Sequence, residues 1–215
     1  GAHLKDTHMG WLYMHRTGMG GHETPKAYLD DQLTYEHAAS EDAPFRGCRV
    51  LKSVFTGSTY YAAVERYGED RERLYVTAVI CLVRWNPKAA DGLIFGYKDM
   101  DEQSGPVEAN CPRSILELLT SSSHPYALDW RNRCYAMLRL KERKVADGDI
   151  LRLPEPLRFT DGSEHREFRV SKRGSKIELR TPDGFGAYRI SRLMERRFEI
   201  IRPARRIKTF FPIAQ

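Results

Sequence analysis

The stretch Leu74-Tyr75-Val76-Thr77-Ala78-Val79-Ile80-Cys81-Leu82-Val83-Arg84-Trp85 decides the fold. β-Branched and aromatic residues fill it, and these suit a pleated, buried backbone. Its apolar middle runs through both side-chain parities, so a strand here buries both faces and lies at the centre of a sheet. Asn86-Pro87 ends it, because proline has no N–H for a ladder and restricts the residue before it. The run from Val76 to Val83 is interrupted by Thr77 and closed by Arg84, far short of the roughly 20 apolar residues of a membrane span. No membrane partner is expected.

Moving upstream, Arg49–Phe55 and Thr59–Tyr67 flank Thr56-Gly57-Ser58, a hairpin signal. Downstream, Asp91-Gly92 introduces a shorter strand, Leu93–Tyr97. Together these predict an antiparallel meander of about four strands. Thr24 is a good N-cap and Pro25 suits a first helical position, so a helix is expected from Pro25 to Glu36, with Tyr28, Leu29, Gln32 and Tyr35 on its packed face. Glu36 to Pro44 reads as loop. Pro112 starts a short helix through Leu119, and Tyr126 to Lys144 reads as the longest helix, with Leu128, Cys134 and Leu138 on one face and Arg131, Arg139 and Arg143 on another.

From Gly148 the pattern changes to short strands: Ile150–Leu153, Leu157–Phe159, Glu167–Val170, Lys176–Arg180, Tyr188–Ile190 and Phe198–Ile201. Asp161-Gly162, Arg173-Gly174 and Pro182-Asp183-Gly184 are turn signals between them, and Ser191–Met194 reads as a 3₁₀ turn. The fold class expected is α+β: a mainly antiparallel sheet with helices, followed by a small SH3-like β-barrel. The expected division is a cloning remnant over 1–8 with Met9 as native start, an α+β domain over 9–145, a basic barrel over 146–202 and a basic tail over 203–215.

At 215 residues, with 41% hydrophobic and 11% aromatic content, the chain can bury a real core. The net charge is +6. From Arg139 onward 20 lysines and arginines face 11 aspartates and glutamates, an excess of nine, while the remainder is net negative. A basic segment attracts polyanions, of which nucleic acid is the commonest in a cell. Cys48, Cys81, Cys111 and Cys134 form no CxxC pair, and no charged n-region precedes an apolar h-region, so reduced, buried thiols in a cytoplasmic protein are expected.

Arg139, Arg143, Lys144, Arg158, Arg166, Arg169, Lys172, Arg173, Lys176, Arg180 and Arg189 are the expected nucleic-acid contacts. On the predicted strands they alternate with apolar residues and so point outward. Arg131, Arg133 and Lys141 on the long helix would extend the same surface. Phe185, beside a turn, would stack on exposed bases, whereas Tyr188 and Phe198 are better placed closing the core.

Trp11-Leu12-Tyr13-Met14-His15-Arg16-Thr17-Gly18-Met19-Gly20-Gly21-His22 is the densest cluster of chemistry-bearing side chains. Its favoured reading is a core strand, Trp11–Met14, followed by a tight glycine connection. A second reading is an anion nest in which Arg16, Thr17, Gly18, Gly20, Gly21 and His22 hold phosphate, although no Gly-Lys-Ser/Thr completes a P-loop. The catalytic alternative is a metal- or phosphate-dependent nuclease or phosphoesterase. There Asp99-Met100-Asp101-Glu102 would hold a divalent cation and His15 or His22 would act as base. The His15–His22 spacing matches no known ligand motif, so no metal site and no cofactor are assigned. Two remoter ideas are Cys111 as a thiol activated at a helix start and a His15–Tyr61–Glu102 transferase triad.

Gly10-Trp11-Leu12-Tyr13-Met14-His15-Arg16, Thr24-Pro25-Lys26-Ala27-Tyr28-Leu29-Asp30, Phe95-Gly96-Tyr97-Lys98-Asp99-Met100, Phe159-Thr160-Asp161-Gly162-Ser163-Glu164-His165 and Tyr188-Arg189-Ile190-Ser191 resemble an uncharacterised family of small proteins from bacterial phages, plasmids and integrative elements. The resemblance covers nearly the whole chain after Met9 and brings no established activity. It implies an accessory protein of a mobile element that binds nucleic acid or counters host defence. The function expected is therefore non-enzymatic nucleic-acid binding. The enzyme above and a protein inhibitor of a host defence nuclease complex are the alternatives.

Overall fold

The computed structural model describes residues 13–36, 47–101 and 107–203. Trp11, Leu12, Glu102, most of the Glu36–Pro44 loop, the expected cloning remnant and the tail beyond residue 203 lie outside the described residues. The chain is α+β and divides between Leu138 and Arg139 into two compact units.

The first unit contains β1 (Tyr13–Thr17), α1 (Pro25–Glu36), β2 (Gly47–Thr56), β3 (Thr59–Tyr67), β4 (Arg73–Trp85), β5 (Leu93–Asp99) and α2 (Arg113–Leu116), with α3 (Pro125–Lys141) running on past its end. The five strands form one antiparallel sheet in the order β1-β5-β4-β3-β2, so β4 is central. The meander from β2 to β5 is the expected one, and β1 adds a fifth strand against the outer edge of β5.

Alternation along the strands makes two cores. Tyr60, Ala62, Val64, Val79, Cys81, Val83, Leu93 and Phe95 pack with Tyr28, Leu29 and Leu33 of α1. Tyr61, Ala63, Val76, Ala78 and Ile80 pack on the other side with Ile115, Leu116, Trp130 and Cys134. Helices on both faces are what forbid β4 a polar face, and they explain its apolar run from Ala78 to Val83.

The cap of α1 forms as its residues imply: the Ala27 N–H donates to Thr24 Oγ1 at 3.2 Å. Its buried face is Tyr28, Leu29 and Leu33, with Gln32 only half-buried. Tyr60 Oη at 2.5 Å and Ser53 Oγ at 2.6 Å both donate to Asp30 Oδ1, tying α1 to the sheet. The buried face of α3 keeps Cys134, with Leu138 packed beside it, but not Leu128. Ala127, Trp130 and Cys134 are buried, while Leu128 is exposed. Spacings of three and four residues put the first three on one stripe, and Leu128 falls beside it.

The second unit contains β6 (Ile150–Arg158), β7 (Glu164–Arg173), β8 (Lys176–Arg180), β9 (Ala187–Tyr188), a 3₁₀ turn (Leu193–Glu195) and β10 (Glu199–Ile201). They form an antiparallel sheet in the order β10-β6-β7-β8-β9. The two short strands expected around Pro154 and Pro156 are one strand, whose ladder to β7 breaks between Arg152 and Leu157. Proline cannot donate there, so pairing lapses while the chain stays extended. Val145, Leu151, Leu153, Phe168, Val170 and Leu179 are the core, with Phe159, Tyr188, Met194 and Phe198 packed against it. Tyr188 Oη lies 2.9 Å from His165 Nε2 and 3.2 Å from Ser163 Oγ, which holds its ring in the core.

Candidate nucleic-acid interface

The β7–β8 hairpin turns Phe168 and Val170 of β7, and Leu179 of β8, into the core of the second unit. Strand alternation then sends Arg169, Ser171 and Arg173 on β7, and Lys176, Glu178 and Arg180 on β8, to the opposite face. The register places Arg169 directly across from Arg180 and Arg173 directly across from Lys176. Both are like-charge pairs, and each weakens the hairpin by about 0.2–1 kcal/mol. One carboxylate offsets this group: Glu178 Oε1 accepts from Arg180 Nη2 at 2.7 Å and from its Nε at 3.0 Å. Arg169, Arg173 and Lys176 have no carboxylate partner among the described residues.

Other arginines of the unit are committed elsewhere. Arg143 donates to the carbonyls of Phe198 and Met194, each at 3.2 Å, and of Arg196 at 2.5 Å. Its guanidinium lies 3.6 Å from the centre of the Phe198 ring, and burial draws its pKa below the ordinary value. Arg143 is a clamp on the chain around the 3₁₀ turn. Arg166 Nε donates to the Leu153 carbonyl at 2.7 Å. Lys172 Nζ reaches the Val145 carbonyl at 3.4 Å. Arg158 faces Glu164 across the ladder. Arg139, Lys144 and Arg189 are exposed.

The helix cations are also spent. Arg131 donates to Asp101 at 2.9 and 3.2 Å and to the Thr120 carbonyl at 2.6 Å. Arg133 pairs with Asp129 at 2.9 Å, and Lys141 with Glu195 at 3.5 Å.

Phe185 was legible as an exposed aromatic, and the structure shows how it is held. The loop from Thr181 to Gly186 is closed by the Thr181 N–H donating to the Gly186 carbonyl at 3.1 Å and the Gly184 N–H to the Thr181 carbonyl at 2.9 Å. The Gly186 N–H donates to Thr181 Oγ1 at 3.1 Å. Asp183 Oδ1 accepts from Thr181 Oγ1 and, at 3.1 Å, from the Phe185 N–H. These bonds hold the Asp183 carboxyl below the usual carboxylate range, the Thr181 hydroxyl contributing most. Gly184 takes a φ of +81°, which a side chain would disfavour. The ring of Phe185 is left 94% exposed.

A groove of about 520 Å³ lies beside β8 and β9, with Ile177, Leu179, Tyr188, Leu193 and Met194 among its lining and Lys141, Arg189, Arg192 and Glu195 bringing charge. Arg189, Arg192 and Glu195 come from one short segment, and Lys141 joins them from about fifty residues upstream with no sequence signal to link it.

The catalytic alternative does not assemble. His15 stacks on Phe95 with centroids 5.0 Å apart, opposite it in the ladder. Asp99 lies four residues further along β5, about 13 Å at strand rise. It is fully buried and accepts from Arg66, from Thr77 Oγ1 at 3.3 Å and from the Asp101 N–H at 3.0 Å. His22 sits before α1, 3.3 Å from Asp31. Tyr61 belongs to the core on the other face of the sheet from the Phe95 core, so the His15–Tyr61 part of the transferase triad fails too. Cys111 is buried, and burial pushes its thiol pKa up, away from a nucleophile. All four cysteines are buried and unbridged. Among the described residues no three histidine, cysteine or acidic side chains converge as metal ligands.

In the segment expected as a phosphate nest, Arg16 and the His22 N–H have partners within the chain. Arg16 pairs with Asp91 at 3.0 Å. Thr17 ends β1, and a Cβ on Gly18 would come within 2.6 Å of the Ala90 carbonyl oxygen, so that glycine serves a close crossing of the chain. Gly20 and Gly21 carry the turn, whose His22 N–H already donates to the Met19 carbonyl at 2.9 Å.

A family model described as a domain of unknown function (DUF6927) matches residues 121–193, roughly a third of the chain. The match runs from just before α3 to the start of the 3₁₀ turn, so it includes the β7–β8 hairpin and the Phe185 loop. No curated protein and no solved structure matches the chain. Among the described residues no helix is long and apolar enough to cross a membrane.

Proposed function

We propose that this chain is a non-enzymatic nucleic-acid-binding protein that holds a phosphodiester backbone on the outer face of the β7–β8 hairpin. The observation that carries the reading is the opposition of Arg169 to Arg180 and of Arg173 to Lys176. A hairpin gains nothing by setting cation against cation, and a polyanion laid across the face gives Arg169, Arg173 and Lys176 the anionic partner they lack, while Arg180 keeps Glu178. The excess of nine positive charges beyond Leu138 supplies the longer-range attraction. An SH3-like barrel belongs to the same proposal. Its support is the strand order, a four-strand meander whose fifth strand returns beside the first, with a 3₁₀ turn before that fifth strand. The setting suggested by the resemblance is a mobile genetic element.

Fluorescence anisotropy with labelled DNA and RNA, single- and double-stranded, at low and physiological salt, tests this. Submicromolar, salt-sensitive binding is expected. Replacing Arg169, Arg173 and Lys176 together by alanine should weaken it and flatten the plot of log K against log salt by about 0.7–0.9 for each phosphate no longer neutralised. An unchanged slope would sink the proposal.

A further inference from the structure

Phe185 touches no other ring and no cation among the described residues, yet its loop is ordered by five hydrogen bonds. An apolar side chain held in water by so closed a loop is presented to something. The loop begins one residue after Arg180, and Ala187, two residues beyond Phe185, pairs with Arg180. The loop that carries the ring therefore lies at the Arg169–Arg180 end of the β7–β8 ladder. Gly184 and Gly186 place no side chain next to the Phe185 ring, and a Cβ on Gly186 would come within 2.4 Å of the Tyr188 ring.

We infer that Phe185 is a stacking platform for an unpaired base, and that the protein selects single-stranded nucleic acid or the open loops of folded RNA over duplex. The inference rests on the binding face proposed above and adds what that face accepts. In a duplex each base is already stacked above and below, so a fixed ring finds an open base face only at an end. In a single strand every base offers one, and stacking is tolerant of sequence. Arg169, with no carboxylate partner among the described residues, then holds a phosphate beside the stacked base, and Arg180, across the ladder from it and paired with Glu178, adds charge at the same end. The pairing is chemically ordinary: a ring and flanking arginines meet the two parts of a nucleotide. A lipid surface fits less well, because a single ring beside an ionised Asp183 is a poor wedge for an anionic bilayer.

The test uses the full chain, a labelled oligothymidine or oligouridine strand and a duplex of matched length whose two ends are closed by non-nucleotide linkers. Phe185→Ala should lower single-strand affinity about tenfold and leave duplex affinity unchanged, and Phe185→Trp should restore it. The ring packs against nothing, so the variants should fold like the parent, which circular dichroism checks. Single-strand affinity within about twofold of the parent, with salt-sensitive binding intact, overturns the stacking role and spares the cationic face. No binding to either form overturns both. Binding to phosphatidylserine vesicles that depends on Phe185, without strand preference, overturns it in favour of a membrane surface.

Discussion

Glu65 shows how one side chain is set by its neighbours. Its carboxylate accepts from Arg49 Nε at 2.9 Å and from Arg73 Nε at 2.5 Å. Burial pushes its pKa up, but the hydrogen bonds and charges of Arg73 and Arg49 outweigh that, and the net shift is downward from 4.5. A carboxyl with a depressed folded pKa stabilises fully above its unfolded pKa and loses that contribution as pH falls through the folded value. Glu65→Gln should therefore cost about 1 kcal/mol near neutrality, since both arginines are largely exposed. The difference should shrink as pH falls below about 4.5. Urea denaturation of both proteins across pH measures it, and a pH-independent gap would contradict this account. Asp99 teaches the opposite lesson. In the sequence it heads the acidic run considered as a cation site, yet it is the last residue of β5, and its carboxylate is consumed by Arg66 inside the protein. Nothing local to Asp99 signals Arg66, which arrives from β3.

At the scale of elements, turns and caps follow their residue chemistry closely. Gly92 closes the β4–β5 connection, where the Asn86 N–H donates to its carbonyl at 2.9 Å. A Cβ there would stand 2.0 Å from the Asn86 carbonyl oxygen and 2.9 Å from that of Ala89. Both obstacles are backbone and cannot rotate away. Gly92→Ala should lower stability by about 1–3 kcal/mol, read as a fall in the thermal midpoint. A midpoint equal to the parent's would mean that the turn relaxes freely. Hairpin turns, the Thr24 cap and the central place of β4 were legible because each depends on residues within one or two turns of chain. The packed face of α3 was legible only in part, through Cys134 and Leu138. Its weak periodicity allows several stripes, and Trp130 was chosen by the core it enters and by the Glu108 carbonyl that accepts its Nε1–H at 3.2 Å.

For the molecule as a whole, function is proposed for one unit and structure is shared by two. Hydrogen exchange with a bound oligonucleotide should slow amides in β7, β8 and the 181–186 loop and leave β1 to β5 unchanged. Protection centred on the His15–His22 segment instead would move the site to the first unit. The sequence by itself determined the α+β class, the buried central strand, the hairpins and the basic C-terminal segment, because periodicity, turn chemistry and charge are local or additive properties. Only the tertiary structure decided which charges remain available. Arg131 is taken by Asp101, and Arg143 by carbonyls near Phe198, while Arg169 and Arg180 are set face to face by ladder register. Ion pairing and register join residues distant in the chain, and composition carries no record of which partners meet.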